Sequence, residues 1–184
     1  MGSEMCIRDS SPTIHPLVKG VVEGARRRLA RPVQPKQPLK HDAITEITLS
    51  LNSASASLAD IRFLFNLLVE YAGVFHISEV LSIRVRDVSI FYDFMKVYLI
   101  MRKNDQYRDG HVLVIARSRK PTCLVGITER ILSVLPDSSC SNNPIVRRIV
   151  KSRHSKERFH ESLGISYSTA YASFKSFISP FNCF

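Results

Sequence analysis

The sequence predicts a mainly α-helical domain with a small antiparallel β-sheet, an α+β fold. Apolar residues recur at helical spacing over most of the chain. Between residues 95 and 116 this period gives way to a two-residue alternation, which is typical of strands. The chain has 184 residues and is 45% apolar, so it can bury a core.

The first predicted helix, residues 15–31, is basic and amphipathic. Residues 32–41 contain three prolines, which cannot continue a helix, and are predicted to form an extended linker. Residues 1–10, MGSEMCIRDS, resemble the translation of a sequencing-library adapter and are left out of the fold prediction. We therefore expect this chain to be a piece of a longer one.

Three helices are predicted after the linker. Asp42 begins a helix over residues 42–52. Its apolar set is Ile44, Ile47, Leu49 and Leu51. Ser57 and Asp60 mark the start of a long, largely buried helix that ends at Gly73. A short helix over residues 77–83 then leads into the first strand.

The predicted sheet follows from the alternating residues. One face of a strand carries Met95, Val97, Leu99 and Met101, and the other carries Lys96, Tyr98, Ile100 and Arg102. The alternation returns with Val112, Val114 and Ala116 after a polar turn over residues 103–110. Further helices are predicted over residues 124–135 and 167–178, and a polar loop between them leads to a very basic stretch, residues 147–158.

The net charge of +10 favours a polyanionic partner, and double-stranded DNA is the leading candidate. The four cysteines, Cys6, Cys123, Cys140 and Cys183, show no zinc-ligand spacing and are predicted to be free thiols in a reducing compartment. The sequence shows neither a signal peptide pattern nor an apolar run of bilayer length. We expect a nuclear or cytoplasmic location and no membrane partner.

Three segments resemble the tyrosine recombinase (phage integrase) family, most closely the integrases of Crypton-like and DIRS-like mobile elements. Residues 15–32 read HPLVKGVVEGARRRLARP and are similar to the last helix and linker of the core-binding domain. Residues 71–88 read YAGVFHISEVLSIRVRDV and resemble the first active-site box, G-[LF]-R-[IP]-S-E-[LV]-L-x-L-[RK]-W-x-D-[IV]. Residues 99–117 read LIMRKNDQYRDGHVLVIAR and resemble the family hairpin R-x-S-K-x-D-Q-x-R-x-G.

The resemblance implies a domain order and an activity. Residues 11–31 would end a truncated core-binding domain, 32–41 would be the linker, and 42–184 would be the N-terminal part of a catalytic domain. The family integrates and recombines DNA as a homo-oligomer through a phosphotyrosyl bond, without metal, cofactor or small-molecule substrate. Two arginines, a histidine-type group and a lysine stabilise the charge at the scissile phosphate.

Three positions match the family's catalytic residues. Lys103 matches the lysine that protonates the leaving oxygen, and Glu79 matches an acidic residue that supports the site. Without the resemblance, Lys103 would be a solvated turn lysine and Glu79 a helix-start glutamate. His76 stands where the family has its first arginine. Because histidine is shorter and offers no two-pronged donor, we expect a severe loss of activity.

The remaining family motifs find no match in these 184 residues. The H-x-x-R box is absent, and the segment around Arg153 and His154 has the wrong spacing. None of the six tyrosines lies in the context of the family nucleophile: Tyr71, Tyr92, Tyr98, Tyr107, Tyr167 and Tyr171. We expect a DNA-binding fragment that does not cleave DNA. The alternatives are a non-catalytic, domesticated DNA-binding remnant and a structural globule with accidental basicity.

Clustered cations are the candidates for DNA contact. The stretch of residues 147–158 is either a solvated surface or a surface that contacts phosphates, and we favour the second interpretation because the linker region is also basic. The candidate residues are Arg26, Arg27, Arg28, Lys36, Lys40, Arg102, Arg108, Arg147, Arg148, Lys151 and Arg153.

Overall fold

The protein is described from a computed structural model that covers residues 15–29, 39–73, 75–99, 110–136, 140–152 and 155–181. Its internal contacts divide the chain into two units, Met1–Gln37 and Pro38–Phe184. The division falls inside the predicted linker, residues 32–41. Each unit is described by itself.

The described part of the first unit is one helix, α1 (Pro16–Leu29), which agrees with the helix predicted there. The helix buries none of its residues, and its last turn carries Arg26, Arg27 and Arg28. One of these arginines, Arg27, pairs with Glu23 one turn earlier at 3.0 Å. The other two extend into solvent.

Two helices open the second unit, α2 (His41–Leu51) and α3 (Leu58–Gly73). The predicted capping residues begin α3: the Ser57 backbone N–H donates to Asp60 Oδ2 at 2.8 Å, and the Asp60 N–H donates to Ser57 Oγ at 3.2 Å. The apolar set predicted for α2 needs one correction. Leu49 is 59% exposed, because Thr48, one turn after Ile44, takes the buried position on the helix face.

A short helix, α4 (Ile77–Ser82), is followed by one turn of 3-10 helix, Val85–Asp87. Three strands then form an antiparallel sheet in the order β1 (Val88–Ile90), β2 (Phe94–Leu99) and β3 (His111–Ala116). The alternation predicted for β2 is confirmed: Met95, Val97 and Leu99 are buried, whereas Lys96 and Tyr98 are exposed.

Two further helices complete the core. Helix α5 (Leu124–Val134) packs against α3 and β3, and α6 (Tyr167–Ile178) packs against α3 and α4. Phe63 of α3 stacks on Phe177 of α6 with ring centres 4.4 Å apart, and it meets Phe174 edge to face. Both helices lie where the sequence predicts them.

The very basic stretch is a second antiparallel sheet, which the sequence did not predict. It consists of β4 (Arg147–Ser152) and β5 (Ser155–Gly164), and we call this pair the ribbon. In total the described residues form six α-helices and two small antiparallel sheets, a mixed α and β fold. Within the same ranges, no helix is long and apolar enough to span a membrane.

Candidate nucleic-acid interface

The inner face of the ribbon is fixed to the core by one cross-strand pair. Ile149 of β4 lies opposite Phe159 of β5. Phe159 is buried, and Ile149 is half-buried against the core cluster. Because side chains alternate along a strand, the residues on either side of this pair must face away from the core.

The outer face of the ribbon therefore carries Arg148, Lys156 and Arg158, and we call these three residues the outer ribbon face. Arg148 precedes Ile149, and Arg158 precedes Phe159 and lies opposite Val150. Lys156 is two residues before Arg158 on the same strand, but the pairing register shifts between them, so Lys156 is included because it is exposed. All three side chains are exposed. The ribbon thus presents three cations to solvent.

Acidic residues offset little of this charge. Arg158 lies 3.6 Å from Glu161, but both side chains are largely solvated, so this ion pair is weak. Among the described residues, neither Arg148 nor Lys156 has an acidic partner within 4 Å. The outer ribbon face is thus a cationic surface with at most one partial counter-charge.

On the inner side of the ribbon, the charged residues that lie past the core contact form an ion pair. Lys151 is two residues from Ile149, and its Nζ lies 3.2 Å from Glu157 Oε1. Glu157 is two residues from Phe159 and so shares the inner side of the ribbon. Lys151, a predicted DNA contact, is therefore paired with a carboxylate, unlike Arg148, and the pair adds no net charge to the ribbon.

The prediction that Arg147 contacts DNA does not fit its position, because the side chain is fully buried. Its Nε donates to the carbonyl oxygen of Pro144 at 2.6 Å, and one terminal nitrogen donates to the carbonyl oxygen of Glu161 at 2.6 Å. The guanidinium group joins the base of β4 to the far end of β5. It faces backbone carbonyls rather than solvent, so a phosphate cannot reach it in this conformation.

A second arginine, Arg62 of α3, hydrogen-bonds the start of β4. Arg62 of α3 donates from a terminal nitrogen to the backbone oxygen of Arg147 at 2.9 Å. Burial lowers the pKa of Arg62 from its ordinary value. The two arginines link α3, β4 and β5 by hydrogen bonds, so the position of the outer ribbon face is set by the core.

The predicted catalytic corner lies at the start of α4. His76 immediately precedes the helix, its side chain is exposed, and its backbone N–H donates to Glu79 Oε2 at 2.9 Å. The buried carboxylate of Glu79 thus stabilises the first turn of the helix. This geometry gives the Glu79 side chain a structural role and leaves the His76 imidazole exposed to solvent.

Several predicted site residues lie outside the described ranges: Lys36, Arg102, Lys103, Arg108 and Arg153. The structure therefore leaves the distance between Lys103 and His76 untested. Lys40 is exposed just before α2. Five of the six tyrosines fall in described ranges and all five are exposed.

The outer ribbon face includes two residues that the candidate list omitted, Lys156 and Arg158. The signal for them was present, because both belong to the basic stretch of residues 147–158. What the sequence lacked was the register that separates outward from inward side chains. Cys123 and Cys140 are free thiols, as expected from their spacing.

Neither models of known protein families nor curated protein sequences match the chain.

Proposed function

We propose that this chain binds the phosphate backbone of double-stranded DNA and belongs to a recombinase of the tyrosine recombinase type. Two lines of argument support the proposal. Three segments of the sequence resemble that family in the expected order. The outer ribbon face supplies a cationic surface, on a chain whose net charge is +10.

The observation that carries the proposal is the exposure of Arg148, Lys156 and Arg158 on the ribbon, with Arg148 and Arg158 facing away from the core. Each phosphate that a lysine or arginine neutralises releases condensed counterions, which favours binding at low salt. Contacts of this kind position a protein on the duplex without reading its sequence. The expected binding is therefore strong at low salt and largely independent of DNA sequence.

We further propose that this chain by itself does not cleave DNA. The imidazole of His76 cannot provide the two parallel hydrogen bonds that a guanidinium gives to a phosphate. The 184 residues also contain no H-x-x-R box and no tyrosine in the family's nucleophile context. The proposed activity is therefore binding without strand transfer.

A second candidate function is that of a non-catalytic remnant that kept a DNA-binding scaffold. One observation favours it: His76 immediately precedes α4, and the Glu79 carboxylate accepts from its backbone N–H. Glu79 thus stabilises the helix start without any chemistry. The presence of Glu79 is therefore compatible with a protein that has no catalytic role.

The binding proposal is tested by fluorescence anisotropy with a labelled duplex of arbitrary sequence. We expect the logarithm of the binding constant to fall linearly as the logarithm of the salt concentration rises. A second duplex of unrelated sequence should bind with the same affinity. Failure to bind at low salt, or binding that is insensitive to salt, would refute the proposal.

A different experiment separates the two candidate functions. His76→Arg is introduced, a C-terminal half from a related recombinase is appended, and the protein is incubated with a suicide DNA substrate that traps covalent intermediates. A trapped protein–DNA adduct supports a damaged recombinase. DNA binding without any adduct supports the remnant.

A further inference from the structure

The turn between β1 and β2 presents aromatic side chains to solvent. Tyr92 is 78% exposed and Phe91 is 44% exposed. The ring of Phe91 stacks on that of Phe94, with centres 4.6 Å apart. We call these three residues, together with Lys96 and Arg119, the aromatic turn. Exposed aromatic clusters of this kind are typical of interaction surfaces.

The backbone of this turn is held rigidly. Arg117 donates from Nε to the carbonyl oxygen of Tyr92 at 2.7 Å, and its backbone N–H donates to the carbonyl oxygen of Asp93 at 2.7 Å. The two terminal nitrogens of Arg117 bond both carboxylate oxygens of Glu129 in α5, at 2.6 and 2.7 Å. A surface held in one conformation loses little entropy on association.

The aromatic turn is also cationic. Lys96 Nζ lies 5.6 Å from the centre of the Phe91 ring, and the Arg119 guanidinium carbon lies 5.5 Å from that of Tyr92. Arg119 has a φ of +57°, a conformation that a non-glycine residue seldom adopts. Asp93, 3.7 Å from Arg119, offsets one of these charges in an exposed pair.

A shallow, open surface of opposite character runs along α2, and we call it the α2 groove. The residues that line it all lie on one face of that helix: His41, Asp42, Thr45, Glu46, Leu49 and Ser50. Asp42 and Glu46 are exposed one turn apart, and within the described ranges neither has a cation within 4 Å. Leu49 adds an apolar surface that is 59% exposed. Lys40 lies just before the helix and does not line the groove.

We propose that the aromatic turn of one copy of this chain docks on the α2 groove of a second copy. The charges are complementary, because Lys96 and Arg119 would face two carboxylates. The exposed ring of Tyr92 would cover Leu49. Among the described residues, none of the aromatic turn lines the α2 groove of its own copy, and Tyr92, Lys96, Asp42 and Glu46 are all exposed. The contact does not depend on DNA binding.

Charge reversal on each surface tests the proposal. One variant carries Asp42→Lys and Glu46→Lys, and the other carries Lys96→Glu and Arg119→Glu. Each should associate with itself at least about tenfold more weakly than the unchanged chain, because like charges then face each other. Sedimentation velocity of the full chain without DNA, over a concentration series, measures this change.

Mixing the two variants gives the decisive measurement. A reversed groove is complementary to a reversed turn, and in the mixture both contacts between unlike copies are restored. Hetero-association should therefore approach the strength of the unchanged chain's self-association, although each variant remains net cationic. Tyr92→Ala, which changes no charge at an exposed site, should also weaken association.

Three results would overturn the proposal. These are a chain that stays monomeric at every concentration, reversed variants that self-associate unchanged, and a mixture of the two that remains monomeric. Circular dichroism of each variant verifies that it is folded. The salt dependence of DNA binding is measured separately, so failure of one proposal leaves the other standing.

Discussion

Removal of the outer ribbon face should change the salt dependence of DNA binding by a calculable amount. The variant carries Arg148→Ala, Lys156→Ala and Arg158→Ala. When the logarithm of the binding constant is plotted against the logarithm of the salt concentration, each phosphate contact steepens the slope by about 0.9. Three contacts therefore contribute up to about 2.7. Over a fourfold rise in salt, the unchanged chain should lose roughly 40-fold more affinity than the variant.

Fluorescence anisotropy over a salt series measures this slope, and the structure supplies a matched control. The double variant Lys151→Ala and Glu157→Ala removes an ion pair of zero net charge from the inner side of the same ribbon. Its slope should equal that of the unchanged chain. All five side chains are exposed or partly exposed, so both variants should stay folded. If the triple variant is folded and keeps the full slope, the assignment of the outer ribbon face to DNA is wrong.

Three further predictions concern stability. Burial raises the pKa of Glu70 from 4.5 to about 7, so the folded state binds this proton more tightly than the unfolded state, and the free energy of unfolding should fall by up to about 3 kcal/mol as pH rises through this window. Urea unfolding of Glu70→Gln over the same pH range should show no such fall. If the variant and the unchanged chain have the same pH profile, the assignment to Glu70 is wrong. Gly73→Ala would place a methyl group against the buried ring of Phe75 and should lower the free energy of unfolding by about 1–3 kcal/mol in the same assay. Gly126→Ala in α5 is the control, because the space around this position is open, and it should raise the free energy of unfolding by about 0.5–1 kcal/mol. Arg117→Lys keeps the charge, but a lysine cannot bond the carbonyl oxygen of Tyr92 and both carboxylate oxygens of Glu129 at once. The thermal unfolding temperature should therefore fall. An unchanged temperature would show that other contacts hold the turn.

The helices could be predicted closely because each has a clear local signal. Ser57 and Asp60 mark the start of α3, and Gly73 marks its end. The bounds of α6 match the prediction, and Ser166 caps it by accepting from the Thr169 backbone N–H. Here the local signals and the tertiary packing agree, which is why one sequence was sufficient.

The ribbon could not be predicted because its alternation is hidden. Charged residues occupy both faces near its outer end, with Lys151 and Glu157 on the inner side and Arg158 on the outer side. The pairing register also shifts between Arg147 and Ile149, which breaks the two-residue period. Composition therefore showed a basic segment, and only the register showed which cations share a face.

The burial of Arg147 illustrates a second limit of sequence reasoning. A charged residue in a basic run is expected to face water, because burying an unpaired charge costs several kcal/mol. Here three backbone carbonyls, two of them in β5, satisfy the guanidinium group. Those acceptors come together only after the strands pair, so nothing in the local sequence indicates them.

Two neighbouring arginines of the ribbon are consequently under opposite selective constraints. In the proposed contact with phosphate, position 148 needs only a positive charge that reaches solvent, so lysine should replace arginine there at little cost. Position 147 needs a planar group whose several N–H donors meet fixed carbonyls inside the protein, and an ammonium group cannot reproduce that pattern. In a set of diverged copies of this chain, arginine should persist at 147 while 148 alternates between the two basic residues.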